Sequence, residues 1–476
     1  MAKNIKQDNK LNETTKIKAP IVDALKTAYE NPTYQFHIPG HTKGKAIFKD
    51  FRKLIGEKAL NIDTTDEFDN LGTLHPATGP IKEAQELAAE AFGAKKTFFL
   101  LNGSTAGNLA LAMSLTKKGQ KVIVNRNCHR SILTGLIISG AEPIWVCPNR
   151  IEDWSVWGNI DGGKIEELLK QNPDTSMVWI TNPTYEGVVS DIKSISNVCK
   201  KYGVPLLVDE AHGCLWNFNK HLPETALKLG ADAVVHSLHK TGGSMSQSSM
   251  LHIAKDSCLD VSAVEKALLH TTSPSLMLLA SLDAARANLQ SNNGQKLLDR
   301  AIKNAKYLRT RLDSIPNLHQ LKGDFGYKTD VTKVFIKIDG LSGKRLESIL
   351  EIDFGIEVES ASDIGVLILC NIGNKRSDFK YLADCLEKIA STNYQDIYYL
   401  EKRKHMPMLE PQIKMSLRDA FYAEKETIRK EEAIGRISAE VVAECPPGIS
   451  ILLPGELITE QHLPYLNDYE TLDVVK

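Results

Sequence analysis

The stretch "VVHSLHKTGGSMSQSSM", residues 234–250, sets one lysine, Lys240, after an apolar run and among serine, threonine, glycine and histidine. An amine taken out of water loses part of its affinity for a proton, and the free base can condense with a carbonyl. Three other segments hold groups that such an amine could work with. "NGSTAGN", residues 102–108, opens a helical pattern with Gly103, Ser104 and Thr105. Their N–H groups and hydroxyls, together with the positive end of a helix dipole, suit one phosphate, the plain alternative being a Ser/Thr helix cap. Asp209 follows the apolar "PLLV" and reads as a buried carboxylate, costly unless donors or a cation meet it. It either joins an ion pair, caps the next helix, or faces a protonated heterocyclic nitrogen. His129, in "NRNCHRS", can cap a helix, fill the core, or lie flat on an aromatic ligand.

The elements that must position these groups are legible as alternating patterns between residues 95 and 255. "TFFLLNG", "KVIVNR", "EPIWVC", "MVWITNP", "PLLVDE", "DAVVHS" and "SMLHIA" read as strands. Between them "STAGNLALAMSL", "HRSILTGLIISG", "GGKIEELLKQ", "DIKSISNVCKKYG" and "PETALKLG" read as helices. Near-continuous apolar strands separated by helices predict an α/β domain whose mostly parallel sheet is covered on both faces. Ligands of such sheets bind beyond the carboxyl ends of the strands, and the segments with chemistry, "DEAHG" at 209–213 included, fall at those ends. A phosphate cradle, a buried acid, a flat imidazole and the Lys240 amine at one sheet edge together fit pyridoxal 5'-phosphate.

Composition narrows the remaining classes. The 476 residues carry a formal net charge of -1 with no long basic stripe, so nucleic acid is not an expected partner. No run of about 18 apolar residues is present and the polar N-terminus has no secretory pattern, which predicts a cytoplasmic protein without a membrane partner. The 8 cysteines form no CxxC pair, so neither a metal site nor a disulfide framework is expected. Four regions are expected: a disordered tail over 1–16, an N-terminal arm with helices over 17–94, a cofactor-binding domain over 95–320, and a smaller α+β domain with its tail over 321–476. In the last, "VTKVFIKIDG" and "GVLILCNIG" read as strands, "MSLRDAFYAEKETIRKEEAIGRISAE" as helical, and "PPGISILLPGE" as a strand between prolines. A helicase reading of "DEAH" finds only "GNIDGGKI" as a phosphate loop, and Ile165 stands where the magnesium-binding Ser or Thr is required.

The chain also resembles a known family, the fold type I ornithine/lysine/arginine decarboxylases. The cofactor-attachment signature of that family is met at every constrained position of "VHSLHKTGGSMSQSS", from Val235 through Ser249. Further likeness lies in "FHIPGHTKG", "LGTLHPATGPIKEAQELAAEAFGA", "TNPTYEG", "LLVDEAHG", "HTTSPSLMLLASLDAAR" and "ECPPGISILLPGE". The resemblance implies an aspartate-aminotransferase-like large domain with a seven-stranded sheet. It makes Lys240 the amine that binds the cofactor aldehyde, Asp209 the partner of the ring nitrogen, and His129 the stacking residue. Ser104, Thr105, Ser237 and His239 fall where the family holds the phosphate, His212 falls beside the cofactor, and Glu456 lies near the substrate side chain. The implied activity is decarboxylation of a basic amino acid, arginine or lysine before ornithine, in polyamine metabolism.

Two departures concern pocket shape: Cys445 where a tyrosine is common, and the small "KTGG" after the lysine. The receiver-like N-terminal domain of the large members is missing, which suggests a homodimer or a tetramer of dimer units. Acidic residues of "DTTDEFDN", 63–70, are candidates for a neighbour's pocket. Rival readings are an aminotransferase or other lyase on the same fold, and a catalytically inactive regulatory homologue. The intact Lys240, Asp209 and His129 speak against the last.

Overall fold

A computed structural model describes residues 17–476 except 32, 67, 69, 269–270, 324–326, 393, 395–409 and 445–447. The expected tail over 1–16 and Cys445 lie outside the described residues. The near-continuous apolar segments form β1 (Lys96–Leu100), β2 (Lys121–Asn125), β3 (Glu142–Val146), β4 (Thr175–Thr181), β5 (Leu206–Asp209), β6 (Ala233–His236) and β7 (Ser249–Ile253). They build one seven-stranded sheet in the order β1-β7-β6-β5-β4-β2-β3. Neighbours from β6 to β3 run parallel, whereas β7 is antiparallel to both β1 and β6.

Alternation along each strand decides which face a side chain covers. Val122, Val124, Trp179, Leu207 and Val235 point to one layer, where α1 (Gly103–Leu115) and α2 (Arg130–Ser139) bury Leu111, Ile132 and Leu136. Ile123, Val178, Ile180, Val208 and Val234 point to the other. There α3 (Gly162–Gln171) and α4 (Ile192–Tyr202) supply Ile165, Leu169, Ile192 and Ile195. Asp161 caps α3 by accepting from the Lys164 N–H at 3.1 Å, and Asp191 caps α4 by accepting from the Ser194 N–H at 3.0 Å. The glycines of "GNIDGGKI" thus belong to a capped helix start, not to a phosphate loop.

A second sheet is antiparallel throughout. It comprises β8 (Leu318–Gln320), β9 (Lys333–Ile338), β10 (Ser360–Ala361) and β11 (Val366–Leu369), in the order β8-β9-β11-β10. Helices Gly343–Phe354 and Arg376–Ser391 close its core with Leu346, Leu350, Phe379 and Leu386. The charged segment expected to be helical is helical only over Leu417–Tyr422. Beyond it, Lys425–Arg429 is a strand paired antiparallel with Thr471–Val475. Partner strands override the propensity of a Lys/Glu/Arg-rich run. Ile449–Leu452, from the segment with prolines at both ends, is a strand as expected.

Candidate active site

The parallel strands end along one edge, and the loops that leave them enclose a cavity of about 290 Å³. β5 ends in Asp209, which pairs with Thr181 at the end of β4 and with Val235 in β6. After β6, Ser237 starts a single helical turn, Leu238–Thr241, that carries His239 and Lys240. Lys240 therefore sits one turn past the strand and not at its end as the apolar run suggested. Gly103, Ser104, Thr105, His129, Asp209, His212, Ser237, His239 and Lys240 all line this cavity.

Glu456 does not line it. Its side chain is buried, with one oxygen accepting from the Leu453 N–H at 3.0 Å and lying 3.8 Å from Arg126, and the other 3.3 Å from His462. The cavity is thus lined without Glu456, and the expected place of this residue near a substrate side chain is not among the contacts described within this chain. A carboxylate near the C-terminus belongs to the packing of its own segment when a buried arginine lies beside it.

The polar groups of the cavity divide by place. At the start of α1 the N-cap residue is Asn102, whose side chain does not cap the helix. The plain-cap alternative for Ser104 also fails, since its hydroxyl is 2.7 Å from that of Ser237. The Gly103 N–H donates to the Gln247 carbonyl at 2.7 Å, so of the first-turn N–H groups that a helix leaves without intrahelical partners it is those of Ser104 and Thr105 that lie at the cavity beside two hydroxyls. The His239 ring donates through Nδ1 to the Ser248 carbonyl at 2.8 Å. His129 is the N-cap of α2; its Nδ1 accepts from the Ser131 N–H at 3.2 Å and lies 2.7 Å from the Ser131 hydroxyl. Capping and cavity lining are therefore both true of this histidine. Burial holds its pKa below the usual value, against the pull of Asp209.

Asp209 accepts from the Asn108 side-chain amide at 3.0 Å and from the Ala211 N–H at 3.2 Å. Lys240 Nζ lies 2.9 Å from His212 Nε2, and burial lowers the pKa of the amine although Asp209 and Glu359 oppose the shift. His212 is held well below its usual value, by burial first and then by Lys240 and Lys333. Sequence reading missed Lys333, which reaches His212 Nδ1 at 3.0 Å from β9. It also passed over Tyr185, Asn127, Thr181 and Ile449 of the lining. Tyr185 and Asn127 stand inside segments already singled out, but Lys333 begins a strand, where a lysine ordinarily reads as a surface residue.

Comparison with known proteins shows the family of the chain. Residues 19–326 match the family described as Orn/Lys/Arg decarboxylase, major domain, and residues 399–474 match Orn/Lys/Arg decarboxylase, C-terminal domain. The chain belongs to the Orn/Lys/Arg decarboxylase family. The arginine decarboxylase of Bacillus subtilis is 38% identical over 464 residues, covering 95% of this chain and 94% of that protein. A lysine decarboxylase of Pseudomonas aeruginosa is 26% identical, covering 93% of this chain and 74% of its own length. The structure of the Escherichia coli constitutive lysine decarboxylase superposes with a TM-score of 0.81 at 23% identity, over 97% of this chain and 82% of that one, which establishes the shared fold. That fold is the type I fold of pyridoxal-phosphate enzymes, and the family reaction is pyridoxal-phosphate-dependent decarboxylation of basic amino acids.

The residues present fit that cofactor. The carboxylate of Asp209 is nine-tenths or more buried and its hydrogen bonds come from neutral donors, so its charge is available to a protonated ring nitrogen. The buried Thr181 hydroxyl in the cavity wall has no hydrogen-bond partner among the described residues. The uncapped helix start, the paired serine hydroxyls and the Lys240 amine complete a donor set suited to a phosphate and an aldehyde. Among the described residues there is no cluster of three His, Cys, Asp or Glu side chains that could hold a metal, and no helix is long and apolar enough to cross a membrane.

Proposed function

We propose that the protein decarboxylates arginine to agmatine, with Lys240, Asp209, His129 and the serine cradle as its cofactor site. What carries the reading is the convergence of those groups on one cavity of about 290 Å³ in a chain of this family. Arginine is favoured over lysine because the relatives named for arginine are more similar, 38% against 26%.

When bound, pyridoxal phosphate supplies a conjugated, protonated ring that accepts the electron pair left as carbon dioxide departs. The chain's own residues do the rest. Ser104, Thr105, Ser237, His239 and the first-turn N–H groups of α1 would hold the phosphate. His129 would lie against the ring, Asp209 would keep a proton on the ring nitrogen, and Lys240 would bind the aldehyde carbon through Nζ. His212 touches that nitrogen and is placed to move a proton to or from it.

Glu359, which lies behind the cavity-lining Tyr185 and not in the lining itself, is the acid we assign to a cationic substrate side chain. It accepts from the Tyr185 hydroxyl at 2.7 Å, and its charge is felt at Lys240, His239 and Lys333. A carboxylate already oriented by one hydroxyl suits the paired donors of a guanidinium.

The homodimer belongs to the same reading. Tyr34 and Phe36 are 95% and 97% exposed, and Phe48, Leu54 and Phe68 of the same arm are also exposed, an apolar surface that a second copy would cover. The described cysteines are free thiols, as suits a cytoplasmic enzyme of polyamine synthesis.

Incubation of the purified protein and pyridoxal phosphate with arginine, lysine and ornithine in turn, read by amine chromatography, tests the proposal. Agmatine with carbon dioxide as the fastest product supports it. Faster cadaverine or putrescine, or a keto acid in place of an amine, overturns it.

A further inference from the structure

A second buried lysine faces the cavity lysine across one imidazole. Lys333 leaves the small sheet in β9 with 2% exposure. Its stem lies over Gly187, where a Cβ would come within 2.9 Å of both Lys333 Cβ and Cδ, so the backbone beneath it carries no side chain. The amine donates to the Tyr185 carbonyl at 2.7 Å, lies 5.3 Å from the centre of the Tyr185 ring, and reaches His212 Nδ1 at 3.0 Å. On the opposite side of that imidazole, His212 Nε2 is 2.9 Å from Lys240 Nζ. Tyr185 packs edge-on against the imidazole at 5.2 Å and 89°, holding the ring between the two amines.

Counting protons along this row restricts its states. Neutral imidazole has one N–H and one lone pair. An ammonium at Lys333 donates to Nδ1, which places the ring proton on Nε2 and requires Lys240 to accept it with a lone pair. An ammonium at Lys240 reverses every role and leaves Lys333 neutral. Two ammonium groups cannot both be satisfied by one lone pair, so the row holds one of them.

The facing groups select the first arrangement. Lys333 faces Asp330, Glu359 and Glu186 besides His212 and Lys240, and has the Tyr185 carbonyl as a further acceptor. Lys240 faces Asp209, Glu359 and Cys214. Among the described residues the hydrogen-bond partner of the Lys240 amine is His212 alone, whereas Lys333 has the Tyr185 carbonyl as well, which leaves Lys240 the poorer site for the charge. Burial brings the Lys333 amine down to about 8, with Asp330, Glu359 and Glu186 opposing the shift and the Lys240 charge adding to it, so the two amines compete for one proton and Lys333 can release it near neutral pH.

We propose that Lys333 is a positioning residue that, through His212, holds Lys240 as a free base and exchanges one proton with it. The exchange breaks one Nζ–H bond at Lys333 and forms one at His212 Nδ1. It breaks the Nε2–H bond and forms one at Lys240 Nζ, with charge conserved and no oxidation. This inference rests on the reading of Lys240 as the amine that binds the cofactor.

The test is competitive acetylation of Lys240 across pH in the full-length protein without cofactor, read by mass spectrometry, for wild type, Lys333→Met and Lys333→Arg. In Lys333→Met the Lys240 labelling midpoint rises by about one pH unit, so the reactive amine below the midpoint falls about tenfold. In Lys333→Arg the cation persists and the midpoint stays at the wild-type value. The guanidinium does not release its proton, so kcat of the loaded enzyme falls about tenfold or more with KM little changed.

An unshifted midpoint in folded Lys333→Met, or full kcat in Lys333→Arg, overturns the proposal. Should Lys333→Met not fold, nitrogen NMR of the wild-type His212 ring decides: the Nε2–H tautomer supports the proposal and the Nδ1–H tautomer overturns it. Labelling and NMR need no turnover, so failure of the arginine reading would appear separately, as wild-type protein that releases no carbon dioxide from arginine.

Discussion

Asp209 and Glu456 are both buried carboxylates, with 3% and 0% exposure, and both stand at the close of an apolar run. Their surroundings differ in charge. Glu456 has the Arg126 guanidinium at 3.8 Å, His462 at 3.3 Å and the Leu453 N–H, all within its own corner of the structure. Arg126 is fixed in turn by donating to the carbonyls of Ser450 at 2.8 Å and Ile451 at 3.1 Å. Among the described residues, Asp209 has hydrogen bonds from the Asn108 amide and the Ala211 N–H alone, with the Lys240 amine in the same cavity. Burial alone therefore marks a carboxylate as noteworthy without saying for what. A carboxylate whose charge is met inside the protein belongs to the fold, and one met by neutral donors beside a cavity is available to a ligand.

That contrast is sharpened by exchanging each acid for its amide. Asp209→Asn keeps the shape and removes the charge, and should lower kcat for decarboxylation about a thousandfold while the melting temperature stays close to wild type. A small loss of kcat with a large loss of stability would put Asp209 in the same class as Glu456. Glu456→Gln should do the reverse, removing about 3 kcal/mol of stability in a urea titration because Arg126 is left buried beside a neutral group. Turnover per folded molecule should be nearly unchanged, and a collapse of kcat there would break the comparison from the other side.

Smaller effects probe the rest of the cavity. Tyr185→Phe takes a hydroxyl from Glu359 and should raise KM for arginine by about tenfold, since a hydrogen bond to a charged group contributes roughly 1.5 kcal/mol. Steady-state kinetics with kcat little changed would support that assignment. Ser104→Ala removes one member of the Ser104–Ser237 pair and should weaken pyridoxal phosphate binding by about fivefold, read by fluorescence titration.

The sequence reading and the structure agree where chemistry is local. Each apolar run expected as a strand between residues 95 and 255 lies in the large sheet, because Val, Ile and Leu patterning is fixed by the pleat and needs no distant information. Lys240, Asp209, His129 and the "NGSTAGN" loop could be singled out because strand ends and helix starts are written in neighbouring residues. Contacts between remote segments were not legible in the same way. Lys333 and His212 are 121 residues apart, and nothing in "VTKVFIKIDG" says that the first of its two lysines points inward. Glu456 was placed near the substrate by family resemblance, and its contact with Arg126, which precedes it by most of the chain, could not be read from neighbouring residues. The strand at Lys425–Arg429 was read as helix because its pairing partner, Thr471–Val475, lies in the final residues.

The central claim is that Lys240, and not the neighbouring buried Lys333, forms the covalent bond to pyridoxal phosphate. Borohydride reduction of the cofactor-loaded protein, followed by proteolysis and mass spectrometry, measures this directly. The account predicts a phosphopyridoxyl group on the Nζ of Lys240 and an unmodified Lys333. The group on Lys333, or on neither lysine, would contradict it.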